Sequence, residues 1–273
     1  MSTGTDQSIG SGKAGDSVRS TAMLRYRTEP PVAWATLDRP EKLNAMARGF
    51  WPELRDAVAR AEADPEVRVL IFNGAGRSFS VGGDIESFGE LGDAGDRRAY
   101  MREAVGAFRA VEGLTKPTIA AVHGHCAGGG CELTMVCDIV VADETLRIGT
   151  PEATVGLVPG PGLARGSAHV NLHWIKYMVM TGELLDAEQA RLAGLVNLVV
   201  PAGEHEARAE QLARQIAERA PLALEAAKQA LNRQYDGWWE QAMDTVSFLQ
   251  GTADFGEGIA AFEERRQPTF KGR

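Results

Sequence analysis

Residues 116–143 read KPTIAAVHGHCAGGGCELTMVCDIVVAD. TIAAV (118–122) and IVVA (139–142) are near-continuous apolar runs, the pattern of strands buried on both faces. Between them the stretch 129–136 has amphipathic helical spacing. Strand, helix and strand in succession imply an α/β fold. The three glycines Gly128, Gly129 and Gly130 weaken a helix but allow positive φ and close backbone approach, so the chain here comes near something else. A strand ending near 122, a tight glycine turn and a helix from about Gly129 leave first-turn N–H groups free at the positive end of the helix dipole. An anion, or a developing one, is stabilised there. The spacing is neither G-x-x-x-x-G-K-[ST] nor G-x-G-x-x-G, and Gly74-Ala75-Gly76 does not complete a dinucleotide fingerprint. The structural alternative is a helix crossing a strand closely.

Working outward, VRVLIF (67–72) is a third buried strand ending at Asn73-Gly74, and MLRYRTEPPVAWATLD (23–38) predicts two strands around a turn at Glu29–Pro31. FWPELRDAVARAEADP carries Phe50, Leu54, Ala57, Val58 and Ala61 on one helical stripe that Pro65 ends, and another helix is expected near 96–113. From about residue 205 the pattern is helical only, with Pro221 separating the first two helices. The expected organisation is a flexible tail (1–20), an α/β core (21–203) and a C-terminal helical region (204–273). Trp238, Trp239 and Phe248 of that region pack on the core or on another subunit.

The chain has 273 residues, 44% hydrophobic and 24% charged, which suits a folded protein rather than a disordered one. A net charge of −8 argues against nucleic acid or anionic membrane as the main partner. No segment has the roughly 18 uninterrupted apolar residues of a membrane helix. Cys126, Cys131 and Cys137 are odd in number and lack zinc-knuckle spacing, so they read as small core residues in a reducing, cytoplasmic setting.

A second glycine segment, SFSVGGDIESF (78–88), offers another backbone N–H near Gly83, and two amides converging on one oxygen make an oxyanion hole suited to a thioester. Glu132 has a counterpart in Glu152, within RIGTPEATVGLVPGPG (147–162), a loop expected to run along a cavity. Alone, each Glu is an ordinary surface group; facing one cavity, the pair divides acid and base work. His169 and His173 are four apart on an expected helix, but with no HExxH they read as packed or exposed histidines rather than metal ligands. His123 and His125 line or cap a strand end, with a catalytic His125 as the alternative. Met178 and Met180 read as core residues.

At these residues the chain resembles the enoyl-CoA hydratase/isomerase (crotonase) family. The matching pieces are DRPEKLNAM (38–46), SFSVGGDIESF (78–88), the 116–143 stretch, TPEATVGLVPGPG (150–162), MTGELLDAEQARLAGLVNLVVP (180–201) and FEERRQPTF (262–270). The resemblance implies a spiral of ββα repeats with a C-terminal helical region used in trimerisation, often as a dimer of trimers. It implies an oxyanion hole from the amides of Gly83 and Gly129, Glu132 and Glu152 as the carboxylates that handle water and the α-proton, and Gly160 helping to hold the water. The reaction implied is syn addition of water across a 2-enoyl-CoA, with Glu132 activating water and Glu152 delivering a proton to Cα. Coenzyme A is then part of the substrate, with no separate cofactor and no metal. Lys42, Leu43 and Ala45 match positions that contact the nucleotide, Val81, Asp84 and Ile85 those around adenine and pantetheine, and Arg265 a basic position that reaches a neighbouring subunit's CoA. Plain surface solvation is the alternative for Lys42 and Arg265. After Gly160 the chain departs from the family pattern with PGLARGSAHVNLHWIKYM, at the border of the acyl pocket. The rival functions are a Δ3,Δ2-enoyl-CoA isomerase or another lyase using the same hole, and a non-catalytic CoA-binding member.

Overall fold

The computed structural model describes residue 1 and residues 22–89, 91–233 and 237–273; the stretch expected to be a tail lies, apart from Met1, outside the described residues. Strands β1 (Leu24–Glu29) and β2 (Val32–Leu37) form an antiparallel hairpin. Helix α1 (Phe50–Ala63) leads to β3 (Val69–Gly74), the short α2 (Ile85–Gly89) and α3 (Ala94–Gly113). Then come β4 (Thr118–Val122), β5 (His125–Ala127), α4 (Gly129–Met135), β6 (Ile139–Asp143) and β7 (Arg147–Gly149). Helices α5 (Gly160–His169) and α6 (Leu172–Thr181) precede β8 (Leu185–Asp186), α7 (Ala187–Ala193) and β9 (Leu198–Val200). The chain finishes with α8 (His205–Ala217), α9 (Pro221–Asn232), α10 (Trp238–Leu249) and α11 (Ala253–Glu263).

The large sheet runs β1-β2-β3-β4-β6-β9, parallel from β2 onward, and the small one β5-β7-β8. The chain passes from a long strand of the first sheet to a short strand of the second and then to a helix in β4, β5, α4 and again in β6, β7, α5. After β2 and β3 only the isolated bridges Met46–Gly83 and Ser80–Cys126 stand in the short strand's place. This is the spiral of ββα units expected from the sequence. The near-continuous apolar runs follow from it, because the large sheet is covered on both faces. Ala33, Ala35, Leu70, Phe72, Ala120 and Val122 face the main core. Their alternates Val32, Trp34, Val69, Ile71, Ile119 and Ala121 face a second cluster closed by Ala209 and Ala213 of α8. Each large side chain fully buried this way contributes about 1.5–3 kcal/mol.

Several local expectations are corrected. His169 and His173 do not share a helix: Val170 is extended, and Asn171 restarts the chain as α6 by accepting a hydrogen bond from His173 N at 2.9 Å. Met178 is buried, but Met180 is exposed on the same helix. The strand at 118–122 does not run straight into the glycine turn, because β5 intervenes and pairs with β7. The expectation for the three aromatic residues is not overturned: Trp239 packs in the core, and Trp238 and Phe248 are exposed on the single chain, which leaves them to the other alternative. Helix α8 packs on the sheet itself, and α10 packs against α3 and α5, so the C-terminal helices build walls of the core.

Candidate active site

Two glycine loops meet because a third loop ties them together. Leu43 and Asn44 both adopt the left-handed conformation, which Asn tolerates better than most residues. The buried Asn44 carboxamide accepts from Arg39 N (2.9 Å) and donates to Ala75 O (2.9 Å) and Ser78 O (2.8 Å). Met46 N donates to Gly82 O and Asp84 N to Met46 O, which fixes residues 82–84 while leaving the Gly83 N–H without an acceptor. On the other side Ser80 N donates to His125 O and Ala127 N to Ser80 O, so the loop continues the small sheet beside β5. Gly129, first residue of α4, also donates no hydrogen bond through its N–H. A β-carbon on Gly129 would lie 3.7 Å from Gly83 N, which shows how close the two amides are. Gly82 has φ +87, and a β-carbon there would sit 2.8 Å from both Ala127 O and Gly129 N. Only glycine fits. Two unpaired donors so placed can receive one oxygen.

The carboxylates face the same space. Glu132, in the first turn of α4, is 7% exposed, and its Oε1 accepts from Gly162 N at 2.9 Å. Burial pushes its pKa up to about 7, with the Gly162 N–H opposing the shift. Glu152 stands in the single 3-10 turn Glu152–Val155, and its Oε2 has no hydrogen-bond partner. Burial first, then the charge of Glu132, raises its pKa well above the ordinary value. Gly128, at φ +53, brings backbone up to this group: a β-carbon there would lie 3.2 Å from Glu152 Oε1. Neither glutamate is a solvated surface group.

A cavity of about 670 Å³ holds both glutamates together with Gly83, Gly129 and Gly160. Lys42, Leu43, Ala45, Val81, Asp84, Ile85 and Arg265 line the same cavity. Lys42 Nζ bonds Glu86 Oε1 at 2.8 Å in an exposed pair, and Asp84 is buried against Arg39 at 2.9 Å. Val81 N donates to Leu43 O, joining the two loops at the mouth. Arg265 follows α11 and lines the cavity of its own chain. Gly160 opens α5 and lines the cavity, but the amide that holds Glu132 is that of Gly162, in the same helical turn. The sequence signal for Gly162 was a second glycine two residues after Gly160; Gly82 and Asn44 were likewise visible only as members of their motifs.

The histidines sit elsewhere. His123 stacks on His205 with ring centroids 4.5 Å apart, and His205 faces Asp143 at 3.1 Å. These rings and the exposed His125 line a separate polar cavity of about 920 Å³ that contains neither glutamate. Among the described residues no group of three His, Cys, Asp or Glu is placed to hold a metal ion. The three cysteines are buried and free.

The enoyl-CoA hydratase/isomerase family pattern matches residues 27–273. The chain is 38% identical over 250 residues to the 2,3-dehydroadipyl-CoA hydratase of Escherichia coli K12, covering 89% of this chain and 96% of that protein. It is 37% identical over 253 residues to the short-chain-enoyl-CoA hydratase of Clostridium acetobutylicum, covering 90% and 96%. The crystal structure of an enoyl-CoA hydratase from Mycobacterium avium subsp. paratuberculosis K-10 superposes with a TM-score of 0.82 at 31% identity, covering 92% of this chain and 99% of that one. A match of this extent in sequence and in fold means that the chain belongs to the enoyl-CoA hydratase/isomerase family.

Proposed function

We propose that the protein is an enoyl-CoA hydratase that adds water syn across the 2,3 double bond of a 2-enoyl-CoA thioester. The observation that carries this reading is a pair of buried carboxyl groups facing two unpaired amides in one cavity. The amides of Gly83 and Gly129 form the oxyanion hole, which stabilises negative charge on the thioester oxygen as an enolate develops. Glu132, ionised near neutrality, takes a proton from water as its oxygen attacks C3. Glu152, held protonated by burial and by its neighbour, gives its proton to C2. Exchange with solvent then restores both groups. Coenzyme A enters as part of the substrate, held at the mouth by Lys42, Arg265 and the backbone of Leu43, Ala45, Val81, Asp84 and Ile85. Hydration of crotonyl-CoA, followed by loss of enoyl absorbance and by product mass, tests the reading. A product one water heavier is expected; an unchanged mass with a shifted double bond would favour isomerisation instead.

The carboxyl pair sets the pH dependence. Because Glu132 works ionised and its pKa lies near 7, kcat/KM should rise with pH through that value. It should fall again at higher pH once Glu152 loses its proton, giving a bell. A flat profile between pH 5 and 9 in the unaltered protein would speak against the assignment. At the mouth, Lys42→Glu places a negative charge beside Glu86, where the CoA phosphates approach. KM for crotonyl-CoA should rise roughly 5- to 50-fold with kcat little changed, since the contact is made equally in ground and transition states. The effect should shrink in high salt.

The exposed Leu222, Trp238 and Phe248 of the C-terminal helices support assembly as a homotrimer or a dimer of trimers. Sedimentation as a monomer at micromolar concentration would remove that element. Three free thiols in the core suit the reducing cytoplasm, and among the described residues no helix is long and apolar enough to cross a membrane.

A further inference from the structure

The wall of the same cavity also carries polar side chains with unmet hydrogen-bonding capacity. Gln250, which follows α10, is 2% exposed and lines the cavity, and neither its amide nitrogen nor its amide oxygen has a partner. Tyr100 of α3 is equally buried on the same cavity; its hydroxyl oxygen lies beside the indole N–H of Trp51, and its own O–H has no acceptor. Burying such groups unpaired is unfavourable, whereas apolar side chains of similar shape would line a hydrocarbon pocket without that penalty. Burial holds the Tyr100 hydroxyl at a pKa of about 12, so it remains a neutral donor across the working range.

Their distance from the chemistry follows from the helices. Val246 and Met101 lie against Gly160, where a β-carbon would be 3.2 Å from Val246 Cγ2 and 3.7 Å from Met101 Cε. Gln250 is four residues after Val246 on α10, about one helical turn or 5–6 Å further on, and Tyr100 adjoins Met101. A chain extending three or four carbons past the double bond covers that distance. Behind Gln250, Arg97 Nη1 would lie 3.4 Å from a β-carbon on Gly251, which adds positive potential at this end.

Resting on the hydratase reading above, we propose that the preferred acyl chain ends in an oxygen-bearing polar group held by Gln250 and Tyr100, and not in a methyl group. Three thioesters of equal chain length test it: hex-2-enoyl-CoA, 6-hydroxyhex-2-enoyl-CoA and 5-carboxypent-2-enoyl-CoA. At least one polar-ended thioester should exceed hex-2-enoyl-CoA in kcat/KM by roughly 10-fold or more, because an analogue lacking the group leaves the buried amide and phenol unpaired. The hydroxyl and carboxyl arms tell a neutral terminus from an anionic one. In Gln250→Leu and, separately, Tyr100→Phe, the ratio should fall at least 5-fold as the methyl-ended substrate gains and the polar-ended one loses. Equal or better turnover of hex-2-enoyl-CoA by the unaltered protein would overturn the proposal, as would a preference that neither substitution alters. Failure to hydrate any of the three would instead overturn the hydratase reading, and with it this one.

Discussion

Glu152→Gln lowers kcat for hydration of crotonyl-CoA by about 10²–10⁴-fold, the range for a positioned acid or base, with KM changed far less. Gln keeps the volume and can still donate a hydrogen bond, but it carries no transferable proton to give C2. Glu132→Gln gives a loss of the same order for the opposite reason, because an amide cannot take a proton from the attacking water. The double substitution should cost much less than the product of the two single losses, since both groups serve one transition state. The thermal stability of Glu132→Gln moves the other way. A carboxyl whose pKa is raised from 4.5 to about 7 on folding binds more protons in the folded state than in the unfolded one across that window. Stability is therefore lost as pH rises from roughly 4.5 to 7. Removing the charge relieves that cost, so Glu132→Gln should melt a few degrees higher than the unaltered protein at pH 8, with the difference vanishing below pH 4. Loss of activity together with a gain in melting temperature marks a group kept for chemistry; full activity in either single variant would remove that residue from the mechanism.

The second large effect comes from the backbone. Gly129→Pro deletes one of the two unpaired N–H groups, and a first helical position is where proline is best tolerated. A β-carbon there would meet Met46 Sδ at 3.3 Å, a flexible neighbour that can shift by a few tenths of an ångström. Loss of one oxyanion donor should lower kcat by about 10²–10³-fold, with CoA affinity retained because the mouth of the cavity is untouched. Circular dichroism and melting measurements establish that the variant is folded. A folded Gly129→Pro protein with undiminished kcat would show that this amide does not carry the developing charge. Gly82→Ala would be the harsher change, since it combines a strained positive φ with contact at 2.8 Å to two backbone atoms.

The α/β architecture was legible because the large sheet is covered on both faces, so TIAAV, IVVA and VRVLIF are near-continuous apolar runs, with Arg68 lying just before β3. Three-residue strands such as β5 and β7 carry no period that a sequence could reveal; their existence depends on the register between loops 80–83, 125–127 and 147–149. The break at Val170–Asn171 was hidden for a related reason. His169 and His173 fit helical spacing, and only the Asn171 cap separates the two helices. The candidate site was legible as motifs, with Gly83, Gly129, Glu132 and Glu152 each in a distinctive stretch, yet their convergence depends on long-range hydrogen bonds such as those of Asn44. Gln250 gave no signal at all. A glutamine after an amphipathic helix reads as a solvated end, and its significance comes from α10 packing between α3 and α5 so that the residue turns into the cavity.

A crystal structure with a 3-hydroxyacyl-CoA product bound tests the central claim most directly. The account predicts the thioester oxygen about 3 Å from the amide nitrogens of both Gly83 and Gly129, with the Glu132 carboxylate on the C3 hydroxyl and the Glu152 carboxyl beside C2. A thioester oxygen bound away from those two amides, or a product whose C2 and C3 face neither glutamate, would contradict it.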